Sequence, residues 1–458
     1  MHITILLSLM AAIMAAQGEV LPHWPGPSIF TVAAALLYVV VAALLGRLAN
    51  HVVLARAAQS RPRGVWGVLL SAVVHVWLIV GSAAVVAAGY GRWIQDIPWG
   101  VPHLTLLEAP LAGKLILVLP LVAALLAIWV LNYPCYRRLR MLATRWSDPP
   151  LAIWSLGQYI EYNLRHQLLF ILAPVSLILL AGDTLQLTLE PYLSADAVAA
   201  LTLAASAGVF LVAPVLIVHV WKTVPLPAGP LRSDLEAMSR RLRLTYRQLC
   251  LWQTGGAIAN AAVMGMLRPL RYVLISDAVV ERMDPMQVQA VFAHEAGHIL
   301  NHHIFYTVLF IVASAMLATA GAAAAADQLQ VNEWVAQGLA AAAMVAAWAL
   351  VLGWISRRFE RQCDVLAAWA GACRSNGGLA VEAVEVFSQA LLEVSRLNGH
   401  DPGQYNWRHG SIQSRVDYLR DLAAAGGTRR QIDRQVRAIK LAILALAAAA
   451  VAMSLLEV

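Results

Sequence analysis

Eight long apolar stretches, each near the length needed to cross a hydrocarbon core, leave this chain few ways to fold. They run over residues 29–48, 65–88, 111–131, 167–181, 197–221, 304–326, 334–355 and 438–456. In lipid, every backbone N–H and C=O has to be satisfied within its own segment, so these runs are expected to be α-helices. Composition agrees: 60% of the 458 residues are hydrophobic and 13% are charged, about half the charge of a soluble domain. The fold class that follows is mainly α, a polytopic α-helical membrane protein. A shorter run over residues 3–16 has the length of a signal-peptide core. No Lys or Arg precedes it and AAQG at 15–18 is an imperfect cleavage site, so it reads as a retained first helix.

Loop charges orient the spans. Arg56, Arg61 and Arg63 follow run 29–48, and Arg137, Arg138, Arg140, Arg145 and Arg165 precede run 167–181. Segments 17–28, 183–196 and 327–333 hold no Lys or Arg, and 91–111 holds Arg92 as its one arginine. The alternation is regular and the positive side is cytoplasmic, which expects a multi-pass protein of the cell (inner) membrane. The net charge of +7 is spent in those loops, outside any nucleic-acid motif, so the partners expected are the lipid bilayer and no nucleic acid. Cys135, Cys250, Cys363 and Cys373 show no CxxC spacing and fall on the cytoplasmic side, where thiols stay reduced. Many of the fifteen tryptophans lie near span ends, as interfacial anchors do. His75 and His219 read as interfacial or hydrogen-bonded within the bundle, and Pro120, Pro174 and Pro214 as helix kinks.

Two polar pieces face the cytoplasm. In the first, Ser233 and Glu236 form a capping-box pair that predicts an Arg-rich amphipathic helix to about Leu251. Strand-like runs follow at 257–264 and 271–276. Then comes VQAVFAHEAGHILNHH, residues 288–303, holding His294, Glu295 and His298 as HExxH. Residues four apart on a helix share a face about 6 Å apart along the axis, so both imidazoles reach one metal ion. Glu295 sits beside them, where a carboxylate takes a proton from water. Asp284, Pro285 and Gln287 supply an N-cap, a first-turn proline and a capping box for this helix.

A catalytic zinc needs a third protein ligand. His302 on a continued helix lies about 12 Å along the axis from His294, too far to share the ion, and His303 faces elsewhere. Asn301 and Ile304 occupy the Gly and His places of HExxHxxGxxH. Glu333 falls on the far side of the membrane. Glu360 remains, in SRRFERQCDVLAAWAG at the start of the second piece, with Asp364 one turn on. Asp364 is placed to accept from the outer nitrogen of a ligating histidine. The alternative for both is a solvated helix face paired to Arg357, Arg358 and Arg361.

These residues resemble the membrane gluzincin family of the CAAX prenyl proteases and the heat-shock protease HtpX. The likeness covers about residues 251–422: YVLISDAVVERMDPMQVQAVFAHEAGHILNHH, SRRFERQCDVLAAWAG and, more weakly, NWRHGSIQSRVDYLRDL. It implies a small zincin-like α+β catalytic domain, one Zn2+ per chain held by His294, His298 and Glu360, and Glu295 as catalytic acid/base. It implies that IANAAVMG is an edge strand on which an extended substrate pairs beside Asn260 and Ala261. His409 would help hold the developing oxyanion, with Arg415 at the family's spacing behind it. The alternative for His409 is a surface residue of an irregular loop. Two departures stand out: Gly410 where the family has Pro, and Cys363 where it has Ala. The spans before HExxH resemble the prenyl proteases more than HtpX, and the last span fits neither.

The expected layout is membrane helices over 1–222, a first catalytic part over 223–303, a hairpin over 304–355, a second catalytic part over 356–437 and a last helix over 438–458. The expected function is zinc-dependent cleavage of a peptide or membrane-protein substrate. One alternative is a signal-transducing membrane metallopeptidase, although outside loops of at most about 20 residues leave no room for a sensor domain. Another is a non-catalytic transporter or scaffold, for which inverted repeats and charged spans are lacking.

Overall fold

The computed structural model describes residues 1–16, 29–57, 64–97, 111–144, 150–329, 332–371 and 378–456. Arg61, Arg63, Arg145, Cys373 and the loops 17–28 and 98–110 lie outside the described residues. The chain divides into two compact units, Met1–Lys222 and Thr223–Val458.

Among the described residues of the first unit, five helices are long and apolar enough to cross a membrane: Ile29–Arg56, Trp66–Gln95, Ala112–Thr144, Leu156–Leu189 and Ala195–Val220. They overrun the apolar stretches where the sequence supplies a cap. Leu156 follows Ser155, whose side chain closes a capping box with Gln158. The His2–Ala16 helix buries Ile5, Leu9, Ala12 and Ala16 along one stripe and packs on the Gly64–Val85 helix. His75 and His219 turn their rings to the carbonyls of Ser71 and Val215, one turn back in their own helices. Pro120 sits at the start of the Leu119–Thr144 helix, where its missing N–H is harmless, whereas Pro174 and Pro214 lie inside helices.

The second unit begins with β1 (Thr223–Pro225), α1 (Pro230–Leu242), β2 (Gln248–Trp252), β3 (Ala261–Met264) and β4 (Tyr272–Ser276). Then come α2 (Asp277–Arg282), α3 (Pro285–Leu300), α4 (His303–Leu329), α5 (Glu333–Ala347) and α6 (Gly353–Gly371). The last three are α7 (Val381–Asn398), α8 (Ile412–Ala424) and α9 (Arg430–Leu456). Spans His303–Gln328, Leu339–Gly371 and Arg430–Ser454 complete the eight long apolar helices found among the described residues. The chain is a polytopic helical membrane protein with a small α+β part.

Two local expectations are corrected. Helix α1 starts one turn early, with Gly229 as N-cap and Pro230 in the first turn, so Ser233 is interior and Glu236 pairs with Arg232 at 2.8 Å. Proline's fixed φ favours that earlier start. The helix also stops at Leu242, where Arg243 turns left-handed at φ 57°; the expected continuation to Leu251 is instead an irregular turn followed by strand β2. Strand β2 finds partners on both sides, β1 antiparallel and β4 parallel. That pairing, with Leu249, Cys250 and Trp252 buried, outweighs helix propensity. The sheet order is β1-β2-β4-β3, with β3 on an edge, antiparallel to the fully buried β4.

Helix α3 opens as its sequence predicts: Asp284 caps it, Pro285 fills the first turn and Gln287 completes the capping box. It packs on α6 and α7. The α3–α6 approach is close because Gly297 has no side chain; a Cβ there meets Cys363 Sγ at 2.9 Å and Cys363 Cα at 3.2 Å. A π turn, Trp348–Leu352, carries α5 into α6, so the Leu339–Gly371 span and the Glu360 segment form one continuous rod.

Gly297→Ala is expected to destabilise the protein by about 1–3 kcal/mol through overpacking. Cys363→Ala should recover part of that loss, since it removes the nearer of the two contacts. Melting temperatures of the two single variants and the double variant give the coupling; strict additivity would refute the contact.

Candidate metal centre

Helices α3 and α6 cross with His294 and His298 facing Glu360. The nitrogen and oxygen donors of the three side chains all lie within 4.8 Å of one another. His294 Nε2 is 3.5 Å from Glu360 Oε2, and His298 Nε2 is 3.6 Å from Glu360 Oε1. Donors about 2.0–2.1 Å from a tetrahedral zinc stand about 3.4 Å apart. The donor set therefore fits zinc in kind and in spacing.

Glu360 and Asp364 are 4% and 0% exposed, which removes the solvated-face alternative. The neighbouring arginines are occupied elsewhere. Arg357 donates to the Trp407 carbonyl at 2.6 Å, Arg358 stacks over Trp354 at 4.4 Å and Arg361 over Tyr418 at 4.7 Å. The countercharge comes instead from Arg415 on α8. Its guanidinium forks onto Asp364, Nε to Oδ2 at 2.9 Å and Nη2 to Oδ1 at 2.6 Å, while Nη1 lies 3.3 Å from Glu360 Oε2. The two buried carboxylates push the Arg415 pKa further up, against the opposing effect of burial.

Asp364 Oδ1 lies 3.0 Å from His294 Nδ1, close but poorly aligned for a hydrogen bond. The contact is electrostatic, and it orients the ring. Burial pulls the His294 pKa down, yet Asp364 and Glu360 overcome it and raise it to about 10. In the metal-free chain a proton thus supplies the cation these carboxylates call for. His298 moves the other way, to about 4, because burial outweighs the pull of Glu360. Glu295 is half-buried, and burial lifts its carboxyl to about 7 against the opposing charge of His294.

His409 is partly exposed, and its Nδ1 rests 2.9 Å from Glu360 Oε1. It precedes Gly410, whose φ of 75° is closed to proline. The loop therefore takes a path that the family's usual Pro cannot follow. Mutual hydrogen bonds between Asn406 and Gly410, at 2.7 and 3.2 Å, hold the turn. Asn260 and Ala261 stand at the open edge of the sheet. Asn260 exchanges hydrogen bonds with Ser276, both at 3.0 Å, so strand alternation turns the backbone groups of Ala261 and Val263 outward. The Ala261 N–H is taken by the Asn260 side-chain oxygen at 3.0 Å.

Sequence reasoning missed Phe387 on α7, whose ring stacks on His294 with centroids 5.7 Å apart; nothing in its local pattern separates it from ordinary core. It also misjudged His303. Helix α3 ends at Leu300 and His302 turns left-handed at φ 54°, which swings His303 back towards His298 instead of away.

Replacing Arg415 with Met strands two buried carboxylates and should cost about 3–5 kcal/mol in metal-free protein. Zinc-loaded protein should lose less, because a second cation already faces Glu360. Unfolding measured with and without chelator checks this, and equal losses in both states would count against it.

Residues 225–423 match Peptidase family M48. A 111-residue stretch is 30% identical to a CAAX prenyl protease 1 homolog of Arabidopsis thaliana, covering 24% of this chain and 26% of that relative's length. The crystal structure of S. mikatae Ste24p covers 86% of this chain and 100% of its own, with a TM-score of 0.51 at 15% identity, a likeness of fold. The chain thus carries a Peptidase family M48 region over residues 225–423, and it spans about a quarter of the length of the curated relative it matches.

Proposed function

We propose that this chain is an integral membrane zinc-dependent endopeptidase acting on membrane-associated proteins or peptides. The observation that carries the reading is the convergence of His294, His298 and Glu360 on one point, with Glu295 beside them. His294, His298 and Glu360 would hold a zinc ion, which would supply Lewis-acid polarisation of the scissile carbonyl and acidification of a water molecule.

The remaining work falls to the chain. Glu295 takes the proton from the attacking water and passes it to the leaving amine. Burial raises this carboxyl above its usual range in the metal-free chain, the direction that favours a group which both takes and returns a proton. His409 swings from Glu360 to donate a hydrogen bond to the developing oxyanion; its side chain is 46% exposed and has room to move. The substrate lies extended along β3, pairing with the Ala261 and Val263 backbone once Asn260 releases the Ala261 N–H. Asp364 and Arg415 hold the ligands from behind. The catalytic parts 223–303 and 356–437 face the cytoplasm, from the cell (inner) membrane, with 1–222, 304–355 and 438–458 supplying the spans. Prenylated peptides, as the name of the Arabidopsis relative indicates for that protein, and damaged membrane proteins are the two substrate classes to separate.

Metal analysis and peptide hydrolysis on purified variants test the chemistry. Glu360→Ala should lose zinc, because two histidines cannot complete the site. Glu295→Gln should keep zinc and lose hydrolysis, and the same variant used as a trap in comparative proteomics should retain substrates. His409→Ala should lower kcat about 10²–10³-fold with zinc content and KM little changed. Full zinc in Glu360→Ala, or normal turnover in Glu295→Gln, would sink the assignment.

Orientation is tested separately. On a cysteine-free background, single cysteines at positions 190 and 332 should react with an impermeant thiol reagent in intact cells, and one at 233 should not. Labelling at 233 alone would invert the arrangement.

A further inference from the structure

His294 has Asp364 behind it, and the other histidine has a partner of its own. His298 Nε2 faces Glu360, so its Nδ1 points away from the metal position and meets His303 Nδ1 at 3.2 Å. His303 Nε2 meets Gln362 Oε1 at 2.9 Å. Gln362 Nε2 in turn donates to Asp433 Oδ1 on α9 at 2.6 Å, and Arg429 Nε donates to Asp433 Oδ2 at 3.1 Å. His303 is 2% exposed and lies flat on Phe359, centroids 4.0 Å apart and planes 2° apart, so its ring plane is fixed.

We propose that His303, Gln362 and Asp433 form a second orienting relay, which fixes the His298 ring for metal binding and makes α9 part of the metal centre. The inference rests on the reading of His298 as a ligand. With Nε2 turned to a metal, His298 carries its proton on Nδ1 and donates to His303 Nδ1. His303 is then the Nε2–H tautomer and donates to Gln362 Oε1, which leaves the Gln362 amide to donate to Asp433. One assignment of donors and acceptors satisfies every link. Such partners set the tautomer, the ring angle and the basicity of a ligating imidazole.

A second contact ties the same helix to the site. Lys440 on α9 donates to the Asn301 carbonyl at 2.6 Å and sits 5.1 Å over the Tyr306 ring. Asn301 caps the C-terminus of α3, next to the His302 turn that aims His303. Helix α9 therefore grips both the end of the HExxH helix and the relay behind it. The rival use of these groups is a second metal site, since His298, His303 and Cys363 also bring donor atoms within 4.8 Å. A metal there requires His298 Nδ1 without its proton, which breaks the relay.

The test uses full-length purified protein and zinc in competition with a chromophoric chelator, with melting temperatures of metal-free and zinc-loaded forms. His303→Leu keeps bulk and removes both polar atoms; it should weaken zinc binding about 10–100-fold. His303→Gln can accept from His298 and donate to Gln362, and should recover most of the affinity. Asp433→Leu, further along the relay and outside the buried ring stack, should weaken binding by a smaller factor. A packing role alone would lower the metal-free melting temperature and leave zinc affinity unchanged. Wild-type affinity in both His303→Leu and Asp433→Leu overturns the relay, as does failure of Gln to rescue. Two zinc ions per chain overturn it in favour of the second site. His298→Ala separates the two levels of the argument: zinc retained there removes the metal-site reading itself, and the relay with it.

Discussion

Two carboxylates buried one helical turn apart set the terms for the rest of the catalytic unit. Glu360 and Asp364 repel each other, and neither is solvated, so the fold has to deliver positive charge to both. Arg415 does this from α8, and its planar fork matches a carboxylate in a way that a lysine ammonium cannot. His294 lies against both acids as well, sharing Glu360 Oε2 and Asp364 Oδ1 with Arg415. Helices α3, α6 and α8, distant in sequence, are thereby tied at one point. Hydrophobic packing brings them together, and charge compensation selects the register.

Much of the membrane architecture was readable from the chain, because lipid leaves a long apolar run no alternative to helix. The opening of α3 was readable too: Asp284, Pro285 and Gln287 act on their own local backbone, so their geometry needs no distant partner. Spacing also brought out Glu360 and Asp364, although their burial was invisible beside three arginines. Arg357 and Arg361 find a carbonyl and a ring far along the sequence, at Trp407 and Tyr418, and Arg358 finds the ring of Trp354 one turn back.

What was not readable has a common cause. Strand β2 is a strand because β1 and β4 flank it, and the helical spacing of its residues carries no trace of that pairing. His303 was dismissed on the assumption that α3 continues, whereas one left-handed residue, His302, re-aims it. Gly410 shows the reverse case. The sequence marked it as a departure from the family, and its positive φ shows that the loop before α8 is built on a different backbone, with His409 delivered by a turn of its own.

The continuity of α5 and α6 has a mechanical consequence. Glu360 lies eight residues beyond the π turn that ends at Leu352, a lever arm of about 12 Å along a rigid helix. Pivoting that rod by about 5° carries the carboxylate by about 1 Å at this rise per residue, several times the tolerance of a metal–ligand bond. Membrane helices answer changes in bilayer thickness by tilting. The proposed third ligand is thus mounted on a helix that continues from a candidate membrane span, so a tilt of that span would alter the geometry of the site.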